Sequence, residues 1–381
     1  MEHAWLLTEE GRITGFGLMN DGSFSVFNDT ESTDCSGKMI LPAWCDSHTH
    51  LVFAAPRENE FVDKIKGMGY AEIAARGGGI LNSARKLNEM DEEELFRLAW
   101  NRLQELMKLG TGAIEIKSGY GLTVEGELKM LRVIKKLKEH SPIPVKATFL
   151  GAHAYPQVYK EDHDAYIRLI VEEMLPVIAR ENLADYIDAF CEHGFFSPSE
   201  METVCMAGKQ YGLTPKLHIH QLSSNGGLQK AIALNALSAD HLETMTEEDI
   251  AQLAASSTIG TLLPTAAFFL RMPYQSARAM IDAGAAVALA SDFNPGSSPS
   301  GNMNFVVSLS CIQMKMLPEE AMNAATINGA FAMELEKETG SIAMGKRANF
   351  IITKPVPSLA ALPYSFGSNL IERVIINGEP V

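Results

Sequence analysis

Short apolar runs alternating with longer amphipathic segments constrain this chain most, from residue 39 onward. The runs are MILPAWC (39–45), TGAIEIK (111–117), PVKATFLGA (144–152), YIDAFCE (186–192), TPKLHIH (214–220), ALSADHL (236–242), TIGTLLP (258–264) and AAVALAS (285–291). Several are rich in β-branched residues and bounded by Gly or Pro, the pattern of strands buried on both faces. The clearest helical segment opens at Asp91, with Glu94 completing a capping box. It places Leu95, Leu98, Ala99, Leu103, Leu106 and Met107 on one stripe and stops at Gly110. Eight strands alternating with helices predict an α/β fold, a (β/α)8 TIM-like barrel. A doubly wound sheet is the competing arrangement, and the chain lacks the glycine fingerprint that would support it.

The ends read differently. RITGFGL (12–18) and SFSVFN (23–28) near the start, and NFIITK (349–354) and RVIINGEPV (373–381) near the end, are β-like without helical periodicity. Together they predict a small β-sandwich-like domain composed of residues 1–38 and 341–381, with the barrel spanning 39–340. No fixed-period repeat or low-complexity segment interrupts this plan.

Charge narrows the partners. Lys and Arg total 32 against 47 Asp and Glu, a net charge of −15. Such a chain repels polyanions, which argues against nucleic acid and anionic membrane as partners. An anionic small-molecule substrate would need a local arginine to capture it. The five cysteines, Cys35, Cys45, Cys191, Cys205 and Cys311, are odd in number and include no C-x-x-C. Reduced thiols in a cytoplasmic protein are the expected state. The N-terminus carries acids where a signal peptide needs a basic region, and no run reaches membrane-spanning length.

In a barrel of this kind the chemistry sits at the C-terminal ends of the strands. Those ends carry His48 and His50; Lys117, Ser118 and Tyr120; His153; Glu192 and His193; His218, His220 and Gln221; Asp240 and His241; and Ser291 and Asp292. Strand seven ends at Pro264 with nothing ionisable. Seven of the ten histidines fall at these positions, far from random scatter, leaving His3, His140 and His163 as ordinary loop or surface residues. His48 and His50 lie two apart in extended chain and so share a face. With a strand-five histidine and Asp292 they make a three-nitrogen, one-oxygen set suited to zinc or iron, with room for a water to be activated as nucleophile.

H-x-H after strand one, the strand-five histidine, A-D-H-L on strand six and the strand-eight aspartate resemble the amidohydrolase superfamily. Within it, DSHTHLVFAAPRENEF (46–61), GGGILNSAR (77–85), EIKSGYGL (115–122), TFLGAHA (148–154), SADHL (238–242) and SDFNPGSSP (291–299) resemble the imidazolonepropionase family. The resemblance implies hydrolytic ring opening of 4-imidazolone-5-propanoate to N-formimidoyl-L-glutamate in histidine degradation. It also implies one divalent metal, Zn or Fe, on His48, His50, His218 and Asp292. Arg57, Tyr120, His153, Gln221, Asn294, Gly296 and Ser297 match substrate-contacting positions. Asp292, His241 and Gln221 match the catalytic ones, and a homodimer is the expected assembly. Two departures stand out: some members of the family have Glu where this chain has Gln221, and the opening strands of the small β-domain are short or missing.

Other assignments compete at several positions. A related hydrolase or deaminase acting on another ring, or a metal-dependent binding protein with weakened turnover, would share the same core. Lys117 has two readings, a carbamylated bridge between two metals or a hydrogen-bonding residue, and the resemblance favours the second. His220 shares a face with His218 and competes with it as ligand; the resemblance favours His218. Glu192 and His193 read as ligand-orienting partners or loop residues, and Cys45 and Asp46 as packing and support. RGGGI (76–80) reads as a loop over the site.

Overall fold

The computed structural model describes residues 1–20, 22, 31–68, 72 and 78–381. The stretch SFSVFN and the first two residues of RGGGI lie outside them. The strands, in chain order, are β1 Ala4–Glu9, β2 Arg12–Leu18, β3 Ile40–Pro42, β4 Trp44–Asp46, β5 Thr111–Lys117, β6 Val145–Ala152 and β7 Tyr186–Cys191. There follow β8 Thr214–Ile219, β9 Ser238–His241, β10 Ile259–Leu262, β11 Val287–Leu289, β12 Phe350–Thr353, β13 Ile371–Ile376 and β14 Glu379–Pro380.

β4 to β11 pair side by side in one parallel eight-stranded sheet, each joined to the next through helical connections. The predicted (β/α)8 barrel is therefore what forms. The seam between first and last strands is tied just past their ends. Thr49 bridges Phe293, the His50 amide donates to the Phe293 carbonyl (2.9 Å), and the Asp292 amide donates to the His48 carbonyl (3.0 Å). Below them, Asp46 accepts from the Ser291 amide (2.9 Å) and hydroxyl (2.5 Å). Barrel closure thus brings H-x-H and Asp292 together from opposite ends of the sequence.

The helix Glu92–Lys108 shows how local sequence builds the shell. The Asp91 carboxylate accepts from the amides of Glu93 and Glu94, and Leu95, Ala99, Leu103, Leu106 and Met107 are buried. Glu94 does not complete the expected capping box. Its carboxylate is held by Arg97 one turn on, at 2.6 and 2.8 Å, a charge-assisted fork stronger than a single bond back to Asp91. Gly110 follows at φ +101°, where a side chain would be strained and would meet the Trp44 indole at 2.9 Å.

MILPAWC does not form one strand. Ile40–Pro42 pairs antiparallel with β12 in a four-stranded sheet ordered β14-β13-β12-β3, and Trp44–Asp46 turns into the barrel. The Ala43 amide, donating to the Asn349 carbonyl (3.1 Å), is the last bond toward β12, and the next amide, of Trp44, donates to Gly110 (2.9 Å) on the barrel side. β1 and β2 form a separate antiparallel hairpin. Ile13 from the hairpin packs with Ala348, Phe350, Ile352 and Ile375, so both chain ends share one small core. All five cysteines are free thiols. Among the described residues, no helix is long and apolar enough to cross a membrane.

Candidate active site

His48, His50 and His218 meet at the mouth of the barrel. Their ligand atoms lie within 4.8 Å of one another, and His48, His241 and Asp292 form an overlapping group. Asp292 Oδ1 is 3.6 Å from His48 Nε2 and 3.7 Å from His50 Nε2. His220 is not part of this cluster. It is buried on its own side of the loop, 3.8 Å from Asp249, and neither ring nitrogen has a hydrogen-bond partner.

Two of the three histidines are aimed by carboxylates. His48 Nδ1 donates to Asp240 Oδ2 (2.7 Å), and His218 Nδ1 donates to Asp188 Oδ2 (2.8 Å). Asp188 also accepts from the His218 backbone amide (3.0 Å). Each bond places the proton on Nδ1 and turns the Nε2 lone pair toward the cluster. Burial, then neighbouring positive charge, holds His48, His50 and His218 well below the ordinary histidine range. His48 Nε2 and His50 Nδ1 are buried with no hydrogen-bond partner. Neutral, desolvated imidazoles beside a carboxylate are a costly arrangement for a protein alone and a suitable one for a divalent cation. The donor set fits a metal ion.

Burial pushes the Asp292 carboxyl up to about 6, with His241 pulling against that rise. Ser297 Oγ donates to Asp292 Oδ2 (3.1 Å), fixing the carboxylate's outer oxygen. His241 Nδ1 faces Glu243 Oε1 at 3.3 Å. Burial alone would lower His241, and Glu243, with Asp292 and Asp240, turns its shift upward. His220, His241, Leu242 and Asp292 all have positive φ (+56°, +89°, +63° and +52°). Backbone strain of this kind in residues other than glycine gathers where function over-determines the conformation.

The residues matched to substrate positions divide into two groups. Arg57, Tyr120 and His153 line the mouth. Arg57 lies 5.7 Å over the Tyr120 ring, Tyr120 lies 5.8 Å from the His50 ring, and His153 stacks on His50 at 5.4 Å. His153 Nδ1 donates to the Gly119 carbonyl (2.9 Å), and burial lowers its pKa to about 4, so the ring is neutral and offers Nε2 as an acceptor. Arg57 Nε donates to Ser83 Oγ (2.8 Å), while its Nη2 is buried without a partner. It forms no ion pair with Glu58 or Glu60. Glu60 instead accepts from the Gly79 amide (2.9 Å). Gly296 makes room for this guanidinium: a Cβ there would come within 2.6 Å of Arg57 Nη1.

Asn294 belongs to the second group. Its Oδ1 accepts from the amides of Gly296 and Ser297, and its Nδ2 donates to the Asp292 carbonyl and Ser297 Oγ. The amide organises the turn that carries Asp292. Gln221 is anchored by its backbone, which donates to Glu192 Oε1 (2.6 Å). Glu192 also holds Leu222 and Ser223, so it shapes the strand-five loop without reaching the histidine cluster. His193 is not drawn into the cluster.

Sequence reasoning missed Asp188 and Glu243 and gave Asp240 no task of its own. Their signal was a carboxylate inside an otherwise apolar strand, as in YIDAF, or two residues past the strand-six histidine.

A metal-binding barrel with this donor order belongs to the amidohydrolase family, which matches the chain over residues 39–381. Its relatives carry a narrower name. An imidazolonepropionase of Flavobacterium johnsoniae is 58% identical over 379 residues, covering 100% of this chain and 92% of its own. One from Alkaliphilus metalliredigens is 38% identical over 384 residues, covering 100% and 90%. Among solved structures, Escherichia coli guanine deaminase superposes with a TM-score of 0.75 at 15% identity, over 99% of this chain and 91% of that one. The 5-methylcytosine deaminase of Klebsiella pneumoniae gives 0.72 at 15%, over 99% and 94%. At that identity the structural likeness speaks for the fold alone.

Proposed function

We propose that this chain hydrolyses 4-imidazolone-5-propanoate to N-formimidoyl-L-glutamate, the step that opens the ring in histidine degradation. The observation that carries the reading is Arg57, a half-buried arginine whose Nη2 is buried without a hydrogen-bond partner and which pairs with no carboxylate among the described residues, set beside the histidine cluster in a strongly acidic protein. A planar fork of donors suits a carboxylate, and here it waits for one from outside the chain. The full-length kinship with imidazolonepropionases supports the same substrate.

His48, His50, His218 and Asp292 would hold one Zn or Fe ion. When bound, that ion supplies Lewis acidity, lowering the pKa of water and polarising the ring carbonyl. The chain's own residues do the rest. Arg57 and Tyr120 hold the propanoate and thereby fix the ring over the cluster. Water adds to the ring carbonyl carbon, and the bond from that carbon to the adjacent ring nitrogen breaks, its electron pair going to nitrogen. Asp292 accepts the water's proton on its carboxylate and delivers it to that nitrogen. His241, oriented by Glu243, faces the carbonyl oxygen as negative charge develops there. Gln221 does not titrate and orients the ring amide. The unpaired cysteines suit the cytoplasm. Exposed Phe61, Val62, Ile65 and Phe268 support self-association as a homodimer.

Arg57 gives the kinetic test of this reading. Arg57→Ala is expected to lower kcat/KM for the propanoate by roughly 2 kcal/mol, about 30-fold, as loss of a desolvated charge-assisted contact should. Arg57→Lys should fall between, because a point charge cannot copy the fork. A neutral imidazolone lacking the carboxylate should react poorly, and equally so, with wild type and variant. Wild type that turns over the neutral ring as well as the acid would overturn the substrate assignment.

A further inference from the structure

Beneath the histidine cluster lies a group of charged side chains that the reaction scheme does not use. Lys117, Lys216, Glu115, Asp188 and Asp240 all have fully buried side chains inside the barrel, two cations against three anions. Lys117 sits at the centre. Its Nζ is 2.8 Å from Glu115 Oε1, 2.9 Å from Asp188 Oδ2 and 3.5 Å from Asp240 Oδ2. Those two aspartate oxygens are the same atoms that accept from His218 Nδ1 and His48 Nδ1. One ammonium therefore bridges the two carboxylates that aim two different histidines.

The surroundings hold this bridge in place. Lys216 Nζ reaches Glu115 Oε2 (3.2 Å) and donates to Ser238 Oγ (2.8 Å) and the Ala332 carbonyl (3.0 Å). Ser238 Oγ in turn donates to Asp240 Oδ1 (2.5 Å), and Thr148 donates to Glu115. The Lys117 amide donates to the carbonyl of Thr49, which lies between His48 and His50 (2.8 Å). The ammonium donates to Asp188 and lies within ion-pair distance of Glu115 and Asp240, a setting that favours a charged lysine over a carbamate.

We propose that Lys117 is a positioning residue for the metal centre. By bridging Asp188 and Asp240, it keeps both carboxylates close together and turned toward His218 and His48, and so sets the site's affinity for one ion. The inference rests on the metal-dependent reading above. Without the ammonium, nothing bridges the two buried carboxylates, and they repel and turn apart. That movement withdraws the acceptor that fixes the Nδ1–H tautomer, and Nε2 is no longer presented.

The test uses Co2+ as the probe on the metal-stripped full chain, reading affinity by chelator competition and ligand geometry from the visible absorption band. Wild type should bind one Co2+ per chain. Lys117→Met should weaken that binding about 10- to 100-fold and alter the band, as loss of a partner behind a ligand does. The charge-balanced Lys117→Met/Asp188→Asn chain guards against misfolding of the single variant. Its loss should be smaller than the losses of Lys117→Met and Asp188→Asn added together, because the two act through one contact. A folded Lys117→Met chain with wild-type affinity and an unchanged band would overturn the inference and leave the hydrolase reading standing. So would fully additive losses in the double variant, or two ions per wild-type chain. Wild type that binds no divalent ion would instead sink the metal-dependent reading, and this inference with it.

Discussion

Asp292→Asn is expected to lower turnover about 1,000-fold or more, the upper range for loss of a proton-transferring group, with a further loss from the weakened ligand set. The substitution keeps shape and size but removes the negative charge and the ability to accept a proton. Ser297 Oγ still has an oxygen to donate to, and the Asp292 backbone still closes the seam with His48, so the fold should survive. The contrast is Gln221→Glu, which puts a titratable carboxylate at a position where this chain has an amide. If Asp292 moves the proton, that change should alter kcat by no more than several-fold. A gain of several orders of magnitude would mean that position 221 is the proton carrier and that the natural chain is a weakened enzyme or a binding protein. Steady-state kinetics of the two variants beside wild type, at matched metal content, decide between these outcomes.

The second large effect separates two histidines that the sequence places two residues apart. His218→Ala should empty the site: after dialysis, elemental analysis should find little metal on the purified chain, and turnover should fall to background. His218 brings both a converging Nε2 and the Asp188 contact that aims it. His220→Ala should retain close to one metal per chain, because its ring lies outside the cluster near Asp249. Its cost should appear in the melting temperature instead. Cutting a fully buried imidazole back to a methyl group leaves a cavity worth roughly 2 kcal/mol or more, partly offset by removing two unpaired polar nitrogens. Retention of metal in the first variant and loss in the second would reverse the assignment.

The barrel was legible because its strands are apolar runs with clear ends, and function concentrates at those ends. His48, His50, His218 and Asp292 could be found by asking which polar residue follows each run. Their convergence could not, since it depends on the seam joining Thr49 to Phe293 across most of the chain. The split of MILPAWC was hidden for a related reason. Ile40–Pro42 and Trp44–Asp46 are equally apolar, and only the partner strand from the far end, Phe350–Thr353, pulls them into different sheets. Asn294 looks like a ligand-facing amide in a polar loop, yet both ends of that amide serve the turn around Asp292. Side-chain hydrogen bonding within five residues is open to Asn at every such position, and the sequence does not tell which bonds form. The buried charges were the least visible. Glu115, Lys117, Asp188 and Asp240 each interrupt an apolar strand, and only packing shows that they interrupt it at one shared place.

The most direct measurement follows the ultraviolet absorbance of 4-imidazolone-5-propanoate in the presence of the purified chain and identifies the product by mass. The expected result is enzyme-dependent loss of the ring, appearance of N-formimidoyl-L-glutamate, arrest by a chelator, and recovery on adding back Zn2+ or Fe2+. A chain that binds its metal fully and leaves the ring intact, or one whose turnover is untouched once chelation has removed that metal, would contradict it.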